Sequence, residues 1–185
     1  LLWLVSRESV WAQYLNALPM LLELMVLFLA SSLGSSGCPM AIAFGGRRRE
    51  LFWAIQGCAL VYGAAAALLC GAAAGLSKSL GQSTPALWPT QSLLTALFYL
   101  ASCWVLAVLG SLSGLLLNRS RLLAAAAYII CIVLSIAFCL GQMILLPERI
   151  NLWGSLPWIL PLALLLLGLA GEGILHGLLA RLCVR

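Results

Sequence analysis

The side chains of this sequence that could do chemistry are few, and their spacing excludes more than it offers. Glu172 and His176 stand four residues apart in an apolar run, so on a helix they share a face, and ionisable groups within a span are functional candidates by default. Gly168, Gly171, Gly173 and Gly177 surround them, which favours close interhelical packing around an internal glutamate–histidine hydrogen bond. His176 is the sole histidine, and none of the seven cysteines (38, 58, 70, 103, 131, 139, 183) forms a Cys-x-x-Cys pair. No metal site is expected, and haem or quinone would find a single imidazole. The cysteines fall in apolar runs and read as free, buried, small hydrophobes. A phosphate-binding Gly-x-x-x-x-Gly-Lys-Ser/Thr loop is missing, since Gly45-Gly46 has neither the lysine nor a preceding strand, so the chain is not expected to hydrolyse ATP. Glu23, near the outer end of its apolar run, is expected to reach water. Charge is concentrated in Phe44-Gly45-Gly46-Arg47-Arg48-Arg49-Glu50, whose three adjacent arginines cannot sit in hydrocarbon.

The closest approach to a nucleophile with a base is Ser111-Leu112-Ser113-Gly114 together with His176, which resembles the Gly-x-Ser-Gly stretch and histidine of intramembrane rhomboid proteases. Ser111 replaces the first glycine of that motif. Ser113 and His176 also fall near the cytoplasmic ends of their segments in the topology below, whereas rhomboid sites open outward. Serine and glycine serving helix packing is the favoured reading, so no catalytic residue is assigned and the chain is not expected to be an enzyme.

The elements that must position these residues are membrane helices. Hydrophobic residues make up 64% of the chain and charged residues 8%, where soluble domains carry about 25% charged. The fold class is therefore all-α, a polytopic membrane helix bundle forming a single transmembrane domain over 1–185. The net charge of +5 comes from loop arginines, so it reports topology and anionic headgroups, and nucleic acid is not an expected partner. Five apolar runs are long enough to cross, at about 18–43, 51–76, 91–117, 122–146 and 158–180. Residues 1–17, with Trp3, Trp11 and Tyr14 around Arg7 and Glu8, suit an interfacial segment. Gly34-Ser35-Ser36-Gly37 and Pro39 predict a kink or a partly unwound end in the first span. Gly71 and Gly75, Gly110 and Gly114, and Gly173 and Gly177 are small-residue pairs at four-residue spacing, the pattern that lets helix backbones approach. The second span is expected to be a packed, interior helix. A polar, proline-marked loop at 77–90 and a short one around Pro147 to Pro157 separate the later crossings.

Alternate loops test this arrangement. Five crossings place 44–50, 118–121 and 181–185 on one face, which then holds seven of the ten lysines and arginines; the other holds Arg7, Lys78 and Arg149. The expected orientation is multi-pass in the cell membrane with the C-terminus cytoplasmic. Residue 1 then lies outside, and one further helix before Leu1 is expected, giving six spans with both ends inside.

Phe44-Gly45-Gly46-Arg47-Arg48-Arg49-Glu50-Leu51-Phe52 resembles the Phe-Gly-x-x-Arg-Arg-x-x-Phe type of stretch that follows the second transmembrane helix in small ABC-2-type transporter permeases. The likeness extends more loosely over residues 40–140, and Gly46 departs from the usual small β-branched or serine position. It implies a short cytoplasmic coupling helix over Phe44, Gly45, Gly46, Arg47, Arg48, Arg49, Glu50 and Phe52 that touches a separate ATPase subunit. It further implies a second permease copy or a paralogous permease as partner, with ATP and magnesium held by the ATPase and no cofactor on this chain. The spans carry few polar groups, so an apolar or amphipathic cargo is expected, by export. The alternative from another class is a helical membrane subunit that only assembles, scaffolds or confers immunity, with its glycine faces as the working surface.

Overall fold

The computed structural model describes residues 2–79, 93–144 and 156–180, with side chains over 17–76, 96–137 and 162–179, and all regular structure among them is helical. Helix α1 spans Leu2–Ser32 and passes through a π turn, Leu33–Gly37, into α2, Cys38–Ala43; α3 is Arg48–Ser79, α4 Leu93–Leu117, α5 Arg121–Ile144 and α6 Leu156–Ala180. Four stretches are long and apolar enough to cross a bilayer: Ala17–Ala43, Arg48–Leu76, Ala96–Leu117 and Leu162–Leu179. With α5 as a fifth apolar helix, the protein is a multi-span, all-α membrane bundle.

Helix α4 is the axis. The other long helices all pack on it, whereas α3 and α6 scarcely touch each other. Its side chains from Phe98 to Leu115 are almost all withdrawn from the surface. Tyr99, Cys103 and Ala107 meet Leu22 and Val26 of α1 and Ala66 and Cys70 of α3; Val105 and Leu106 meet Leu27, Cys131 of α5 and Leu164 of α6. At the end carrying residue 115, Val108 and Leu115 join Cys38, Leu51, Ile55, Leu175 and Leu179. Trp104, half-buried, borders all three groups, donates to Gln56 Oε1 at 3.2 Å, and its ring occupies the space that a Cβ on Gly168 would fill.

Lipid supplies no hydrophobic drive between helices, so contact quality decides which faces meet, and small residues decide how close. The α1–α4 crossing is built this way. A Cβ on Gly110 would lie 2.6 Å from the Leu27 carbonyl oxygen, and one on Gly114 or Gly34 would strike the Ser31 or Ser111 carbonyl outright. Of the glycine pairs expected to pack, Gly110 and Gly114 do so inside this chain. Among the described residues nothing lies within 4 Å of a Cβ placed on Gly75, Gly173 or Gly177, so these face open space. Helix α3, expected to be interior, is instead one of the more exposed: Leu60, Val61, Leu68 and Leu69 point outward.

Two local features mark the first span. Residues 2–16 continue α1 without a break, since neither glycine nor proline occurs there to stop it. The interruption at 34–39 is absorbed as one π turn: Cys38 N–H donates to Leu33 O, and the Ser35 and Ser36 hydroxyls donate to Ser32 O at 3.3 and 2.8 Å. Of the predicted loops, 80–90 and 147–153 lie outside the described residues, as do the C-terminal 181–185 and the side chains of Arg7, Glu8, Trp3, Trp11 and Tyr14.

Candidate functional site

The arginine segment is a helix stop followed at once by a helix start. Gly46 N–H donates to Ala41 O at 2.9 Å and Gly45 N–H to Ile42 O at 3.0 Å, the two bonds of a Schellman cap, with Gly45 at φ +86°. A Cβ on Gly46 would stand 2.8 Å from the Ala41 carbonyl oxygen, so the second glycine is also demanded by space. Leu51 N–H then donates to Arg47 O at 3.1 Å, which makes Arg47 the cap of α3 and places Arg48, Arg49 and Glu50 in its first turn. No separate coupling helix exists here: residues 48–52 are the first turn of a helix that runs on to Ser79.

Glu50 suits the positive end of a helix, whereas Arg48 and Arg49 oppose it by a few tenths to about 1 kcal/mol each. The charges of Arg48 and Arg49 therefore gain nothing from the dipole of α3. Phe44 to Glu50 are all exposed, Phe44 at 84%. Behind them a cleft of about 420 Å³ is lined by Arg48, Arg49, Phe52, Trp53, His176 and Leu179, joining the start of α3 to the end of α6. The turn at 118–120 lies at the same end, tied down by Asn118 Nδ2 donating to Ser35 O at 3.1 Å. The basic segments 44–50 and 118–121 and the end of α6 are thus brought to one end of the bundle.

Glu172 and His176 share a face of α6, but no hydrogen bond joins them among the described residues. His176 turns its ring edge-on to Phe52, with centroids 5.6 Å apart and planes at 82°, so it packs on α3 while Glu172 is half-buried one turn deeper. Ser113 is spent on a hydrogen bond to Gly110 O at 2.7 Å, and none links it to His176. Cys38, Cys70, Cys103 and Cys131 are free and buried and Cys58 is free and half-buried; Cys139 and Cys183 fall outside the described side chains.

Sequence reasoning missed a polar cluster at the other end. Glu23 does not reach water: it is wholly buried, and the Ser102 hydroxyl lies 2.6 Å from its Oε1 and 2.8 Å from Tyr99 O. Ser135 of α5 stands beside the same carboxyl. Tyr99 Oη donates to Pro19 O at 3.3 Å and meets Cys70 Sγ at 3.7 Å, so four helices converge on these groups. The signal was present in the sequence. Glu23, Leu27, Ala30 and Gly34 follow i, i+4, i+7, i+11, the stripe of α1 that faces α4.

Comparison of the chain with family models, with curated proteins and with solved structures returns no match.

Proposed function

We propose that this chain is the membrane-spanning permease subunit of a transporter driven by a separate ABC-type ATPase, with residues 44–52 as the contact that receives the stroke. One observation carries the reading: Phe44 and three arginines are held out from the bundle on a rigid, doubly hydrogen-bonded cap that connects two spans directly. A large exposed aromatic beside desolvatable arginines is the composition of an interface hot spot. Because Arg47 caps α3 and Phe44 caps α2, a push on the turn has no slack loop to absorb it and tilts both spans as rigid bodies. The membrane face carrying the arginines is then the cytoplasmic one, with the C-terminus beside it, in the cell membrane. The cargo is apolar or amphipathic and moves by export.

A second reading, a non-transporting assembly, immunity or scaffold subunit, is favoured by Gly75, Gly173 and Gly177, whose open faces suit another chain's helix. The experiment that separates the two is co-purification of the tagged chain from its native membrane, followed by an ATPase assay on the complex. The transporter reading expects a phosphate-loop protein whose recovery and ATP turnover drop when Phe44→Ala is introduced. A stable complex with no ATPase in it refutes the reading and leaves the scaffold.

A further inference from the structure

The cleft behind the arginine turn has two unlike halves. Along α3 its lining passes from Arg48 and Arg49 in the first turn to Phe52 and Trp53 one turn on, and α6 adds Leu179 and the His176 ring. The boundary between these halves falls within one helical turn of the start of the apolar stretch Arg48–Leu76, the depth at which headgroups give way to acyl chains. A soluble anion would need the arginines and have no use for the apolar wall. A purely apolar molecule would make no use of the basic end of the lining.

What continues beneath the cleft matches this division. On α3 the residues Trp53, Gly57 and Leu60 fall at i, i+4 and i+7, all exposed, and a Cβ on Gly57 would meet nothing within 4 Å. On α6 His176, Gly173 and Leu169 descend at i, i−3 and i−7, also all exposed, and Gly173 is equally open. Since α3 and α6 both pack on α4 and scarcely on each other, a seam descends from the cleft between them, with a glycine on each side one turn down.

We infer that this cleft is a binding site for an anionic glycerophospholipid: its phosphate sits between Arg48 and Arg49, and an acyl chain runs down the seam past Trp53, Gly57 and Gly173. Guanidinium groups match phosphate oxygens in a planar, bidentate fashion, and basic clefts between membrane helices at the headgroup level hold such lipids. The site does not depend on the transporter reading, and its test involves no ATPase.

The test is native mass spectrometry of the full chain in neutral detergent, after exposure to equal amounts of phosphatidylglycerol and phosphatidylcholine with the same acyl chains. The expected result is retained phosphatidylglycerol in excess, with a loss of about five-fold for each of Arg48→Gln and Arg49→Gln. Trp53→Ala, which keeps both charges, is also expected to lose retention. Arg119→Gln with Arg121→Gln, on the neighbouring basic turn, is expected to retain it, and soluble glycerol phosphate is expected not to compete. Equal retention of the two lipids overturns the site. So does unchanged retention in the Arg49→Gln and Trp53→Ala proteins, or an equal loss in the Arg119→Gln, Arg121→Gln protein, which would assign the effect to diffuse charge. Displacement by glycerol phosphate would make it a free-phosphate site and overturn the lipid.

Discussion

Glu23 Oε1 on α1 and the Ser102 hydroxyl on α4 lie 2.6 Å apart, and neither residue has any exposed surface. Interhelical hydrogen bonds in membranes are worth about 0.6 kcal/mol on average and about 1.7 at most, because the unfolded-in-membrane state also finds partners. A double-mutant cycle with Glu23→Ala and Ser102→Ala, followed by unfolding in mixed detergent and SDS, is expected to return a coupling in that range. Glu23→Gln, which keeps the shape and an acceptor, should sit closer to wild type than Glu23→Ala. Zero coupling would mean the contact does not bind the two helices.

The glycines divide into two classes that stability measurements should separate. Gly114→Ala and Gly34→Ala place a Cβ against backbone carbonyls across the α1–α4 crossing, where nothing flexible can yield, so each is expected to cost about 1–3 kcal/mol. Gly173→Ala and Gly177→Ala meet open space and should leave the isolated chain unchanged or slightly firmer, since alanine is the better helix former. Equal losses in both classes would contradict the crossing geometry.

Topology is checked by single cysteines against the background of the native thiols, four of which are buried. Phe44→Cys and Ser120→Cys are expected to label from one side of the membrane, and cysteines at Ser83 and Asn151 from the other. In intact cells the first pair should label only after permeabilisation. Labelling of positions 44 and 120 from opposite sides would break the proposed face.

Removing Arg49 should not weaken α3, since its charge opposes the helix dipole. An arginine that ends in a desolvated contact with a partner carboxylate should cost on the order of 2–5 kcal/mol of association when cut to alanine, and one at the rim little. Affinity of the purified chain for its co-purifying ATPase reads this directly. If Phe44→Ala and all three single arginine variants bind like wild type, residues 44–52 are not the docking contact.

Hydropathy located the helices to within a few residues, because a run that must match a bilayer has little freedom in length: 91–117 and 158–180 were expected where α4 is Leu93–Leu117 and α6 is Leu156–Ala180. It could not say which helix is central. Apolar residues face lipid as readily as protein, so α3 and α4 look alike by composition, and the difference lies in Gly110 and Gly114 meeting α1 while Gly75 meets nothing. Glu23 illustrates the same limit of hydropathy: its distance along the span is legible, whereas its burial depends on its direction around the helix, toward Ser102 of α4. The Gly45-Gly46 pair was the reverse case, a local cap readable from two residues once the backbone geometry is known.

The partner of Glu23 is 79 residues further along the chain. At about 5–20 residues per second of synthesis, α1 waits roughly 4–16 s before the ribosome has produced Ser102. The α1–α3 hairpin is therefore made with its carboxyl not yet docked on α4, and that docking belongs to the moment the central helix arrives. In this bundle the axis is inserted between the two parts of its wall, after α1 and α3 and before α5 and α6.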